Sequence, residues 1–281
     1  VVDGRQRITA ILDFLNDELP LKDLKILKQY NGNKFSELEP KMRGVFEDYQ
    51  LSFYIIQPPT PERVKYDIFD RVNRGGTQLN SQEMRNALYI GTATKLISEL
   101  ANSQEFLNAT GKGISPKRMK DQYVILRSIS FYLLKKRYET VTRENGDSIE
   151  YKSDIDDFLA KMMIFLNEKA SEELISDCRN TFLTAMKNCS IIMGEDAFRF
   201  ESSTENRRPI NMPLFEVMMY IFADKSVFNW PEHTKEKVND FKEKFDHKQM
   251  FAGNTDSTLN LNERYKLAEE LIKQIEYDTT H

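Results

Sequence analysis

Val1-Val2-Asp3-Gly4-Arg5-Gln6-Arg7-Ile8-Thr9-Ala10-Ile11-Leu12-Asp13-Phe14-Leu15 is the stretch whose reading decides the fold. A β-branched pair runs into Asp3-Gly4, and apolar residues then fall at Ile8, Ile11, Leu12 and Leu15, the one-face spacing of a helix. The pattern predicts a strand end, a turn at Asp3-Gly4 and an amphipathic helix from about Arg5. The first turn of such a helix carries unpaired backbone N–H groups and the positive end of its dipole, which favour an anion. Gly4 lets a ligand approach the backbone, and Arg5 and Arg7 stand at the mouth. An acid in this position would repel a bare phosphate, so Asp3 makes sense there as a ligand for a divalent cation or as the group that orients an attacking water. The plainer alternative is that Asp3 caps the helix and Arg7 makes a local ion pair with it.

Working outward, Lys25–Tyr30 and Lys34-Phe35 flank Asn31-Gly32 and read as a hairpin. Pro40 is placed to begin a short helix towards Tyr49, and Leu51–Gln57, rich in Phe, Tyr and Ile, reads as a strand. A helix over Glu62–Asn73 follows, with Gly75-Gly76 positioned as its left-handed stop. Asn80, with Glu83 three residues on, reads as a capping box opening the next helix.

Two motifs, Asp3-Gly4-Arg5-Gln6-Arg7 and Phe69-Asp70-Arg71-Val72-Asn73-Arg74-Gly75-Gly76-Thr77-Gln78-Leu79, together resemble the N-terminal domain of the GmrSD type of modification-dependent restriction proteins, within the ParB/sulfiredoxin-like superfamily. The family hallmark is Asp-Gly-Gln-Gln-Arg, followed downstream by Phe-x-x-x-Asn-x-x-Gly-x-x-Leu. Arg5 stands where the family usually has Gln. The resemblance implies nucleotide hydrolysis in a phage-defence system, with Asp3, Gln6 and Arg7 as catalytic residues and Gly4, Arg5, Asn73, Gly75 and Gly76 around the nucleotide. It implies a divalent cation, Mg²⁺, on Asp3, a nucleoside triphosphate as ligand, and DNA or a nuclease-bearing protein as partner. Asn73 and its loop would close over the site. The fold expected from these readings is α+β: a small ParB/sulfiredoxin-like α/β part over residues 1–90 with its first strands missing, then a helical part over residues 91–281. The competing reading is a non-catalytic module in which that scaffold carries a DNA- or protein-binding helical part.

Composition narrows the classes. The chain has 281 residues, 44 acidic against 40 basic, and a formal net charge of −4, which does not describe a generally basic nucleic-acid wrapper. No apolar run approaches the roughly 18 residues that span a bilayer, and no secretory leader is apparent, so no membrane association is expected. Cys178 and Cys189 fall in one helical stretch and would stand about 16 Å apart along it, too far for a disulfide, which fits a reducing cytoplasm. The chain opens without Met inside an apparent strand, so a fragment is expected, one that need not turn over substrate by itself. The exposed edge of a truncated sheet would invite a homodimer.

From Thr92 onward the period is helical, over Thr94–Asn102, Lys117–Tyr138, Asp154–Glu168, Glu172–Met193, Pro213–Asp224, Pro231–Met250 and Asn262–Tyr277. Phe215–Phe222 is apolar nearly all round and reads as core. Gly111-Lys112-Gly113 lacks the spacing of a phosphate loop. Lys112, Lys117, Arg118 and Lys120 nevertheless cluster at a helix start; a solvated face and contact with nucleic-acid phosphates are the two readings. Arg207-Arg208, in a loop before Pro209, is a second basic element. The three histidines have no His or Cys at metal-ligand spacing, so zinc is not expected, and neither is an HNH nuclease. Sulfiredoxin chemistry would need a cysteine at the opening turn, and no Gly-x-Ser-x-Gly elbow is present.

Overall fold

The computed structural model describes residues 4–55, 57, 60, 62–73, 79–136, 141, 148–202, 206–223, 233–247 and 254–279. The chain divides into two compact units, Val1–Leu79 and Asn80–His281.

The first unit holds α1 (Arg5–Leu15), α2 (Pro40–Glu47) and α3 (Glu62–Asn73), with 3-10 turns at Lys28–Tyr30 and Phe35–Glu37. Gly4 caps α1 in a left-handed conformation (φ 87°), which relieves the chain of a Cβ penalty at the bend. Phe14 meets Phe35 edge-on at 5.7 Å and Phe46 at 5.1 Å, so one aromatic cluster ties α1 to the second 3-10 turn and to α2. Asp17 accepts the Ser36 N–H at 2.8 Å, and this backbone hydrogen bond holds its carboxyl below the ordinary carboxylate value.

The α+β expectation does not hold. Among the described residues there is no strand, and all regular structure is helix or 3-10 turn, so no ParB/sulfiredoxin-like α/β part is present there. The expected hairpin is instead a closed loop. Its Gly32 does adopt positive φ (92°), but the Asn31 amide replaces a strand ladder, accepting the Leu24 N–H at 2.8 Å and donating to the Leu24 carbonyl at 3.3 Å. The Leu51–Gln57 stretch also fails as a strand. Phe53, Tyr54 and Ile55 are 65%, 99% and 78% exposed, with no neighbouring strand among the described residues to take up backbone hydrogen bonds. The strand end expected at Val1-Val2 lies outside the described residues.

The second unit comprises α4 (Ser81–Leu88), α5 (Thr92–Ala101), α6 (Gln104–Thr110), α7 (Lys120–Lys136), α8 (Ile155–Glu168), α9 (Glu172–Met193), α10 (Met212–Ile221), α11 (Thr234–His247) and α12 (Thr258–Thr279). Its axis is α10, buried at every residue from Pro213 to Ile221 and packed by α7, α9 and α12. Phe198 lies 4.2 Å from Phe215 between ring centroids, and Phe131 stacks on Phe158 at 5.0 Å. Helix starts follow their cap chemistry. Asn80 accepts from the N–H groups of Gln82 and Glu83 while Glu83 reaches back to the Asn80 N–H, the reciprocal box its spacing predicts. Ser103, Asp154, Ser171 and Asn211 cap α6, α8, α9 and α10 in the same sense. Helix α6 falls between the helical stretches that the sequence pattern marks at Thr94–Asn102 and Lys117–Tyr138.

Candidate functional site

The opening bend is built from Gly4 and the first turn of α1. Gly4 offers no capping side chain, no acidic residue occupies the first turn, and the Ile8 N–H is the first to bond back, at 2.8 Å to the Gly4 carbonyl. The earlier N–H groups of the turn therefore have no partner within the helix. Arg7 folds back over the bend: a side-chain carbon at Gly4 would stand 3.7 Å from Arg7 Nη2. Gln6 and Arg7 are exposed. A left-handed glycine, the N–H groups of the first helical turn and a guanidinium thus meet at one end of α1, an arrangement suited to an anion.

Of the remaining residues of this constellation, Asp3, Gly75 and Gly76 lie outside the described residues, as do the side chains of Arg5 and Asn73. Asn73 is the last residue of α3 and Leu79 is half-buried. The described part of the bend supplies no carboxylate, so a divalent cation there would rest on Asp3 and on the phosphates of a nucleotide. Among the described residues no three His, Cys, Asp or Glu side chains gather as a metal group.

The basic residues Lys112, Lys117, Arg118 and Lys120 are all exposed. Arg118 is engaged by Glu83, with Nη2 at 2.9 Å from the carboxylate, and its carbonyl accepts from Asn80 at 2.7 Å. Arg118 and Met119 are both left-handed (φ 60° and 56°), so the approach to α7 is a strained bend held by the capping box of α4. Arg118 acts first as a structural tie.

Two constellations in the second unit are not apparent from the sequence. At its centre, Glu216 is fully buried and accepts from Arg127 and, at 3.1 Å, from Arg264, both of them buried arginines. Arg127 also donates to Asp256, whose backbone carbonyl accepts the Tyr151 hydroxyl. Burial works against the charge of Arg127, but Glu216 and Asp256 outweigh it and hold its pKa well above the ordinary value. Burial likewise raises the Tyr151 hydroxyl, to about 12. This network joins α7, α10 and α12 and has the character of a structural lock. The second constellation is a cleft between the end of α9 and the start of α11, lined by Arg199, Arg207, Arg208 and Lys235. Only Arg207-Arg208 announces it in the sequence.

Comparison with known proteins agrees with the opening motif. Residues 1–90 match the family model described as GmrSD restriction endonuclease, N-terminal domain. Over these ninety residues the chain is similar to the N-terminal domain of GmrSD restriction endonucleases. The match runs past Leu79 into α4 and leaves the other helices of the second unit uncovered. No curated protein and no solved structure matches the chain. Among the described residues, no helix is long and apolar enough to cross a membrane.

Proposed function

We propose that this chain is a component of a phage-defence or modification-dependent restriction system whose opening bend binds and hydrolyses a nucleoside triphosphate. The observation that carries the reading is the left-handed Gly4 at the cap of α1 with the Arg7 guanidinium folded over it. The N–H donors of the first turn and the guanidinium would hold phosphate oxygens from two sides. Charge that develops on the transferred phosphoryl group would find these donors already oriented, so no reorganisation is needed during reaction. Gln6, exposed one residue before Arg7, would orient the attacking water, and Asp3 would receive its proton or hold Mg²⁺ beside the phosphates. When bound, Mg²⁺ supplies charge neutralisation to the phosphates. Asn73, Gly75 and Gly76 are the second motif that the same reading assigns to the nucleotide.

The test is phosphate release from each common nucleoside triphosphate with Mg²⁺, by the chain and by Asp3→Ala and Arg7→Ala. The expected result is release by the parent chain that falls at least roughly a hundredfold in either variant, the scale of losing one positioned group. Equal release from all three proteins would contradict hydrolysis at the bend.

A further inference from the structure

The cleft between α9 and α11 has a volume of about 360 Å³, the scale of a small-ligand site. Its arginines are set rather than loose. Arg208 forks onto Asp246, with Nη2 donating at 3.0 Å, and lies over the Phe200 ring at 5.0 Å. Arg207 pairs with Glu195 at 2.8 Å and with Asp196 at 3.3 Å. Arg199 donates from Nη1 to the Arg208 carbonyl at 2.5 Å. Neither Arg199 nor Lys235 meets a carboxylate partner within ion-pair reach among the described residues, and the Nε of Arg199 is buried without an acceptor.

Gly111 and Gly113 lie close against two of these charged side chains, Glu195 and Arg199. A side-chain carbon at Gly113 would collide with the Arg199 guanidinium and come within 2.9 Å of the Thr110 carbonyl, and one at Gly111 would stand 2.9 Å from the Glu195 carboxylate. The two glycines admit the charged side chains to the loop surface. Two stretches far apart in sequence are thereby joined in one built structure.

Pairing indicates the ligand. Arg207 and Arg208 are met by three carboxylates, Glu195, Asp196 and Asp246, so among the described residues the two cations of the lining without a carboxylate partner are Arg199 and Lys235. Glu201 and Asn239 also line the cleft and can accept from a ligand's hydroxyl or amino groups. An anion at one end with hydroxyl or amino donors at the other describes a nucleoside phosphate. We infer that this cleft is a second ligand site, apart from the opening bend, that takes a nucleoside monophosphate, free or as one unit of a nucleic-acid strand. Arg199 and Lys235 hold the phosphate, and Glu201 and Asn239 hold the sugar or base.

Calorimetric titration in the Arg7→Ala background keeps the opening bend from contributing. The probes are each of AMP, GMP, CMP and UMP, the matching nucleosides, and a fluorescent single-stranded oligonucleotide followed by anisotropy. At least one monophosphate or the oligonucleotide is expected to bind, the nucleosides to bind roughly tenfold or more weakly, and Lys235→Gln to weaken binding by a similar factor. Lys235 is exposed, so its replacement leaves the fold intact, and Arg199→Gln serves as the stronger second variant. Saturation by monophosphate alone identifies a free ligand, and saturation by the oligonucleotide alone identifies a strand. No binding, nucleoside binding equal to that of the phosphate, or affinity unchanged in both variants would overturn the inference.

Discussion

The two compact units treat apolar side chains in opposite ways. In the second, α10 is buried on all sides and even its one carboxylate, Glu216, is enclosed between two arginines. In the first, the buried apolar side chains among the described residues are Phe14, Leu38 and Phe69, while Leu12, Ile26, Val45, Tyr49 and Phe53–Ile55 lie largely in solvent. Among the described residues, Phe14, Leu38, Met42, Val45 and Phe46 wall an open groove of about 410 Å³. The difference separates two ways of holding a fold. The second unit is held by dense burial, each large side chain contributing on the order of 2 kcal/mol or more. The first is held mainly by local devices: the Gly4 cap, the Asp17–Ser36 hydrogen bond, the Asn31 closure and one aromatic trio. A unit held this way opens at low cost, which suits a ligand site and not a structural hub.

The sharpest way to break this comparison is to remove the enclosed carboxylate. Glu216→Ala leaves Arg127 and Arg264 buried without their shared partner, and the second unit is expected to lose roughly 3–5 kcal/mol, read by urea unfolding with a probe in α10. A loss below about 1 kcal/mol would show that water or another group replaces the partner.

Acid titration should sharpen the same contrast with a smaller effect. Burial by itself raises the Asp256 carboxyl, but the hydrogen bond and charge of Arg127 outweigh it and hold the group below its ordinary 3.8. A carboxyl depressed in the folded state contributes fully above its unfolded value and loses that contribution as pH falls through its folded value. Stability followed as pH falls from about 6 through the ordinary carboxylate range should therefore drop more steeply in the parent chain than in Asp256→Asn. Parallel curves would mean that Arg127 does not stabilise the charged form.

The smallest effect belongs to the first unit. Tyr54→Ser removes an aromatic ring that is 99% exposed, and thermal unfolding is expected to shift by no more than about 0.5 kcal/mol. A loss well above that would mean Tyr54 is covered in solution and the first unit has a closed core.

These contrasts also mark what the sequence makes legible. Helices whose period, cap and stop agree can be read directly: Glu172–Met193 is found as the spacing places it, and the box at Asn80 and Glu83 forms as its residue types require. The strands are misread because a strand is a property of a pair. Leu51–Gln57 has the residues of one, yet nothing in its own sequence states whether a neighbour exists. The hairpin is misread because the Asn31 side chain competes with the backbone for the same hydrogen bonds. For the opening site, a glycine at a helix start and an arginine one turn on are visible as local chemistry, and the bend has that geometry. The buried network is not visible, because Arg127 and Glu216 are 89 residues apart and Glu216 and Arg264 are 48 apart. Arg199 and Lys235 carry no local sign either; only packing places them beside Arg207-Arg208.

That the Gly4 bend is a phosphate receptor is tested most directly by equilibrium titration with a nucleoside triphosphate and Mg²⁺, which reads binding independently of turnover. The parent chain should saturate, and Arg7→Ala should bind at least roughly tenfold more weakly, a difference of about 1.4 kcal/mol. Equal affinity in the two proteins would place the nucleotide elsewhere and leave the bend as nothing more than the start of a helix.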